Sequence, residues 1–110
     1  MTIASLATIL NQARQNNQAI AGLVVLGWED ITAFIAAAEA ENMPVILQAG
    51  PGCRAHTPIP VLGAMFRYAA ERASVPIVCH LDHGYEIQEI EEAIQSGFSS
   101  VMIDGSKKPL

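Results

Sequence analysis

The sequence predicts an α/β fold, with a leading helix followed by strands and helices in strict alternation around one parallel sheet. Three observations predict it. Helix-like segments and short apolar runs alternate along the whole chain. The apolar runs are continuous, as in strands buried on both faces, where a half-exposed strand would alternate apolar with polar residues. Turn-forming or helix-starting residues separate each run from the helix that follows.

Ser5 to Asn16 opens the series as an amphipathic helix, with Leu6, Ile9, Leu10 and Ala13 at i, i+3, i+4, i+7 spacing. Ala19 to Leu26 follows the polar Asn16-Asn17-Gln18 as a short buried strand. A second helix is expected from about Asp30 to Asn42, where Ile31, Phe34, Ile35 and Ala38 repeat at helical spacing and Asn42 supplies the stop. Pro44 to Ala49 is a second strand, its proline at the first position, where a missing N–H is tolerated. Gly50-Pro51-Gly52 breaks it and opens a loop to Ile59. Pro60 suits the first turn of a helix reaching about Ala73. Pro76 to Leu81 is the third strand. The helix Glu86 to Gln95 carries acids near its positive N-terminal end. Ser99 to Ile103, closed by Asp104-Gly105, is the fourth strand. A leading helix and β/α units of this kind fit either a doubly wound sheet or part of a (β/α)8 barrel. The elements amount to about half of a barrel, which typically takes ~250 residues.

Composition narrows the function. The chain has 110 residues, room for one domain spanning 1–110. Hydrophobic residues make up 51% against 15% charged, with a mean hydropathy of +0.30, which excludes a disordered segment. So much apolar surface on a small chain implies a partner surface, from another subunit or the rest of a larger fold. Six basic residues against 11 acidic ones give a net charge of -5, so the basic stripe required by nucleic acid is absent. Cys53 and Cys79 form no CxxC pattern, which favours a reduced compartment. The N-terminal Met1-Thr2-Ile3-Ala4-Ser5-Leu6 lacks a basic leader, and no apolar run approaches the ~20 residues of a membrane span. A soluble, cytoplasmic protein is expected.

In both candidate architectures, function gathers at the C-terminal ends of the strands. There the third strand offers Asp82-His83-Gly84 and the fourth Asp104-Gly105-Ser106. Period-two alternation puts His80 and Asp82 on one side of the third strand, opposite Cys79 and Leu81. His83 then stands at the rim, where a neutral imidazole can bind a metal beside a carboxylate able to move protons. Each residue also has a structural reading. Asp82 or Gly84-Tyr85 could cap the following helix, and Asp104-Gly105 is ordinary turn chemistry. His80 reads as a hydrogen-bonded interior histidine, His56 as solvent-exposed in a proline-rich loop, and Glu86 to Glu92 as a solvated helix face.

His80-Leu81-Asp82-His83-Gly84 resembles the H-x-D-H signature of class II fructose- and tagatose-bisphosphate aldolases. Ser96-Gly97-Phe98-Ser99-Ser100-Val101-Met102-Ile103-Asp104-Gly105-Ser106 is similar to that family's G-F-[TS]-S-V-M-x-D-x-S stretch, and Ala37 to Gln48 to its approach into the second strand. The resemblance covers nearly the whole chain. It implies the N-terminal half of a (β/α)8 barrel whose zinc ion binds dihydroxyacetone phosphate during reversible aldol cleavage of fructose or tagatose bisphosphate, the other product being glyceraldehyde 3-phosphate. On the matching positions it implies His83 as a zinc ligand, Asp82 as the acid/base for the aldehyde oxygen, and Asp104 near the metal in a supporting or alternate-metal role. It also implies a phosphorylated sugar substrate, a monovalent cation, and a homo-oligomer or a complementing C-terminal half. Where the family carries G-A-F-N-V-N-N, this chain has Ala21-Gly22-Leu23-Val24-Val25-Leu26-Gly27, and Gly50 stands where many members have serine. These departures favour an alternative, a non-catalytic half-barrel that self-associates or binds a second polypeptide through its open strand edges. A metal-free flavodoxin-like binding domain is a third reading.

Overall fold

The computed structural model describes residues 3–110; Met1 and Thr2, the first two residues of the N-terminal segment read above, lie outside the described residues. The leading helix α1 (Leu6–Gln15) starts where the Ser5 hydroxyl accepts from the Thr8 amide at 3.2 Å. It is followed by β1 (Gly22–Val24), α2 (Trp28–Glu41), β2 (Val45–Ala49), α3 (Pro51–His56), α4 (Ile59–Arg72), β3 (Ile77–Gly84), α5 (Ile87–Gln95) and β4 (Ser100–Ile103). Asn42 ends α2 in the left-handed conformation at φ +51°, the stop its position predicts.

All strand pairs are parallel, and the spatial order β1-β2-β3-β4 is the chain order. That order decides between the two architectures. A doubly wound sheet reverses its strand order at a switch point and carries helices on both faces. Successive right-handed crossovers in one direction place every helix on the same face, as in a barrel wall. The core agrees. Val45, Leu47 and Ala49 of β2 and Ile77, Cys79 and Leu81 of β3 form one buried cluster with Ile31 and Ile35 of α2, Leu62 and Phe66 of α4, and Ala93 of α5.

The intervening positions form the other face. Across the sheet, Val24 lies opposite Gln48, Gln48 opposite His80, and His80 opposite Ser100. This face is only partly covered, contrary to the expectation of a sheet buried on both sides. Val24 is 57% exposed, and Gln48 and Ser100 are half-buried. The first strand is accordingly shorter than Ala19–Leu26 and is an exposed edge, with the buried strand positions concentrated in β2 and β3. The loop expected from Gly50 to Ile59 is also corrected. Pro51 takes the first position of α3, where its missing N–H costs nothing, so a sequence that reads as a strand breaker also starts a helix. Among the described residues, no helix is long and apolar enough to cross a membrane.

Candidate active site

β3 runs regularly from Ile77 to Leu81, then its register against β4 shifts between Leu81 and Gly84. His83 sits in this bulge with φ +51°. A bulge leaves a residue unpaired and re-aims the side chains around it, and the left-handed conformation costs a residue with a Cβ about 1–2 kcal/mol. The consequence is local and specific. Adjacent residues of a regular strand point to opposite faces, yet His83 Nε2 stands 3.6 Å from Asp82 Oδ2. His80 approaches the same carboxylate, with Nε2 3.6 Å from Oδ1. The bulge thus gathers the three polar residues of the His80–His83 run around one carboxyl group.

The residue just after β4 is the fourth member. His83 Nδ1 lies 2.8 Å from Asp104 Oδ2, while Asp104 Oδ1 accepts from the Ser106 amide at 2.9 Å. The bonds from Ser106 and then from His83 hold the Asp104 carboxyl down to about 2, so it is an anion at neutral pH. An anionic carboxylate only accepts, so in this bond Nδ1 carries the proton and donates it, while Nε2 is the ring nitrogen that faces Asp82. The His83 side chain is 48% exposed. Tyr85 stacks on the His83 ring, with centroids 6.4 Å apart, and Lys107 Nζ lies 4.6 Å above the Tyr85 ring.

The structural readings of these residues now separate. Asp82 does not cap α5, whose N-cap is Glu86. Asp104 does form the turn expected of Asp-Gly, through Ser106, and also holds His83 with its other oxygen. His80 is a buried histidine bonded through Nδ1 to Ser100 Oγ at 2.7 Å; burial lowers its pKa, opposed by Asp82. His56 ends α3, exposed. Within the acidic run, Glu89 is not merely solvated, since its carboxylate accepts from the Tyr85 amide at 3.0 Å and approaches Arg54 Nε at 3.6 Å.

Sequence reasoning misses Arg54 altogether, and it names the segments that hold Glu89, Ser100 and Ser106 without giving those residues a partner. Ser100 was recoverable only from the β3–β4 register, and nothing in its spacing marks Arg54. Among the described residues, no three His, Cys, Asp or Glu side chains group closely enough to hold a metal by themselves. A catalytic zinc takes three protein ligands. The donor set here fits one of them, His83 Nε2, with Asp104 behind it in the carboxylate–histidine arrangement that fixes ring orientation at metal sites. Two surface grooves, one around Trp28 and Tyr68 and one around Leu23 and Phe34, contain no member of this cluster.

Chain-ordered parallel strands with the connecting helices on one face, and a His–Asp cluster at the strands' carboxyl ends, define the class: a (β/α) barrel segment carrying a candidate site on its strand-to-helix side. Residues 4–110 match the model of the family "Fructose-bisphosphate aldolase class-II", and the chain belongs to that family of aldolases. It is 37% identical over 109 residues to a fructose-bisphosphate aldolase of Xanthobacter flavus, covering 98% of this chain and 31% of the relative. It is 36% identical to a 6-phospho-5-dehydro-2-deoxy-D-gluconate aldolase of Bacillus licheniformis, covering 100% and 39%. The crystal structure of the YdjI aldolase from Escherichia coli K12 superposes with a TM-score of 0.90 at 32% identity, covering 97% of this chain and 42% of that one. A putative fructose-1,6-biphosphate aldolase from Coccidioides immitis gives a TM-score of 0.83 at 33% identity, covering 92% and 36%. The chain therefore spans between about a third and two fifths of these relatives and constitutes the N-terminal half of the barrel.

Proposed function

We propose that this chain contributes one zinc ligand and the proton-transfer acid to an aldolase that reversibly cleaves a phosphorylated keto sugar. The cluster of Asp82, His83 and Asp104 is the observation that carries the reading. His83 would hold the metal through Nε2, and Asp104 would keep the ring in the tautomer that frees that nitrogen. Bound zinc supplies a Lewis acid for the substrate carbonyl. In the cleavage direction, the Asp82 carboxylate takes the proton from the hydroxyl whose carbon becomes the aldehyde as the C3–C4 bond breaks; in synthesis it returns that proton to the aldehyde oxygen. Fructose or tagatose bisphosphate, giving dihydroxyacetone phosphate and glyceraldehyde 3-phosphate, is the substrate class the family resemblance favours. The matched relatives named for fructose bisphosphate and for 6-phospho-5-dehydro-2-deoxy-D-gluconate share a phosphorylated substrate.

The chain, joined by a complementing C-terminal half, is assayed for zinc content and for cleavage of both bisphosphates, with Asp82→Ala and His83→Ala beside it. His83→Ala should lose zinc. Asp82→Ala should keep zinc and lose about 10²–10⁴-fold of turnover. Zinc binding indifferent to His83, or full turnover without Asp82, refutes the assignment. A second reading is favoured by the exposed Val24 (57%) and Leu26 (63%) at the β1 edge, where the family pattern has asparagines. There the chain acts as a non-catalytic half-barrel that pairs with a second polypeptide or a second copy, and zinc-dependent turnover abolished by Asp82→Ala would exclude it.

A further inference from the structure

Arg54 is a buried cation that neither the family assignment nor the zinc reading uses. Its side chain is 5% exposed. From α3, Nη1 donates to the Ala49 carbonyl at 2.9 Å and the Asp82 carbonyl at 2.6 Å, and Nη2 donates to the His83 carbonyl at 2.8 Å. Nε stands 3.6 Å from Glu89 Oε1 and is the one buried side-chain polar atom among the described residues without a hydrogen bond. Glu89 in turn accepts from the Tyr85 amide at 3.0 Å, just beyond the bulge.

We propose that Arg54 is a positioning residue for this site: its guanidinium fastens the β3 bulge to the end of β2 and so holds His83 in the backbone conformation that turns its ring onto Asp104. The geometry argues this directly. Successive carbonyls of a regular strand point in opposite directions, so one guanidinium cannot take both. The fork reaches the carbonyls of Asp82 and His83 together because the chain turns at His83. Arg54 therefore binds the bulged conformation and not the extended alternative, and only such a differential contact can shift the balance between the two. Among the described residues, the other non-glycine residues with positive φ are Asn17 and Asn42, of the type that adopts this conformation readily, and both follow helices. His83 is the one inside a strand. Bulge carbonyls taken out of the sheet ladder need donors. Lysine has a compact charge without a planar fork, and cannot meet them in the same way.

The proposal extends the zinc reading, but its structural half stands without it. The test compares the purified chain with Arg54→Lys, Arg54→Met and, as a control at an exposed arginine, Arg14→Met, each checked for folding by its amide NMR spectrum. The readouts are the His83 backbone coupling, which reports φ; the His83 ring nitrogen shifts, which report the tautomer held by Asp104; and a zinc titration followed at that ring. In folded Arg54→Lys and Arg54→Met, the coupling should move to an averaged value, the tautomer signature should weaken, and zinc affinity at His83 should fall at least tenfold; Arg14→Met should change none of them. A folded Arg54 variant with native coupling and ring shifts overturns the proposal. Should both Arg54 variants fail to fold, Glu89→Gln carries the test: loss of the partner charge should move the His83 signals in the same direction, and unmoved signals overturn the proposal. A native chain whose His83 ring ignores zinc counts against the zinc reading, while the coupling still decides the role of Arg54.

Discussion

Gly84 closes the bulge, and replacing it with alanine tests whether the spacing of β3 and β4 sets the geometry of the site. A Cβ at position 84 would lie 2.5 Å from Ile90 Cδ1 and 2.8 Å from the Met102 carbonyl oxygen. Ordinary contact begins at 3.4 Å, nearly an ångström beyond the first distance and about half an ångström beyond the second, so both neighbours must move. The Ile90 terminus can rotate away. The Met102 carbonyl is main chain and cannot move without β4, which is tied to Gly84 by the Asp104 amide donating to the Gly84 carbonyl at 2.8 Å. Overpacking of this kind costs about 1–3 kcal/mol. At roughly 4 °C or more per kcal/mol for a domain of this size, melting should drop by at least several degrees. Thermal melts and urea titrations of the chain and of Gly84→Ala measure the loss, and NMR of the His83 ring reads the widening at Asp104. Combining Gly84→Ala with Ile90→Ala relieves the side-chain clash alone. Full recovery of stability in the double variant would refute the reasoning, because it would mean that the backbone contact carries none of the cost.

Phe66→Ala should cost about 3–5 kcal/mol, since the ring is fully buried and packs edge-on against Phe98 with centroids 5.2 Å apart. That is a large share of the total stability of a small domain, and denaturant titration would contradict it with a loss below about 1 kcal/mol. Cys79 is fully buried and its thiol is pushed up to about 12 by burial, so thiol reagents at pH 8 should leave it unmodified in the folded chain and label it on unfolding. Rapid labelling of the native chain would show the β3 interior to be open. Stability should fall with acid in two ranges. His80 is depressed by burial from 6.5, so the unfolded chain takes up its proton first, and the stability present above about 6.5 is lost as pH drops through the lower folded value. Asp104 is held at about 2 against 3.8, so its contribution is present above 3.8 and lost as pH falls through about 2. Urea titrations across pH should lose the upper range in His80→Asn and the lower in Asp104→Asn; unchanged profiles would contradict these assignments.

Much of the fold is legible because period and punctuation carry it. The apolar run 44–49 becomes β2 at Val45–Ala49, and the spacing of Ile31, Ile35 and Ala38 becomes the buried side of α2. What local pattern cannot supply is the order of strands in space, so the doubly wound and barrel alternatives separate only when β1-β2-β3-β4 proves sequential. Burial of β1 misleads for a related reason. An apolar run encodes a surface to be covered, and Val24 and Leu26 are left more than half exposed.

The site shows the same division at finer scale. Alternation along β3 rightly places His80 and Asp82 together, because that rule needs only a regular strand. It cannot bring His83 to the same carboxylate, since a regular strand sends residue 83 to the opposite face. The departure has no glycine or asparagine at position 83 to announce it, and its support comes from an arginine 29 positions earlier. A left-handed histidine persists where surrounding contacts over-determine it. Here those contacts are the Arg54 fork on its carbonyl, the Asp104 carboxylate on its ring, and the close fit of Gly84 under Met102. The motif therefore names residues of the candidate site, while the bulge gives them their geometry, through groups on α3 and around β4 that lie outside the His80–Gly84 run.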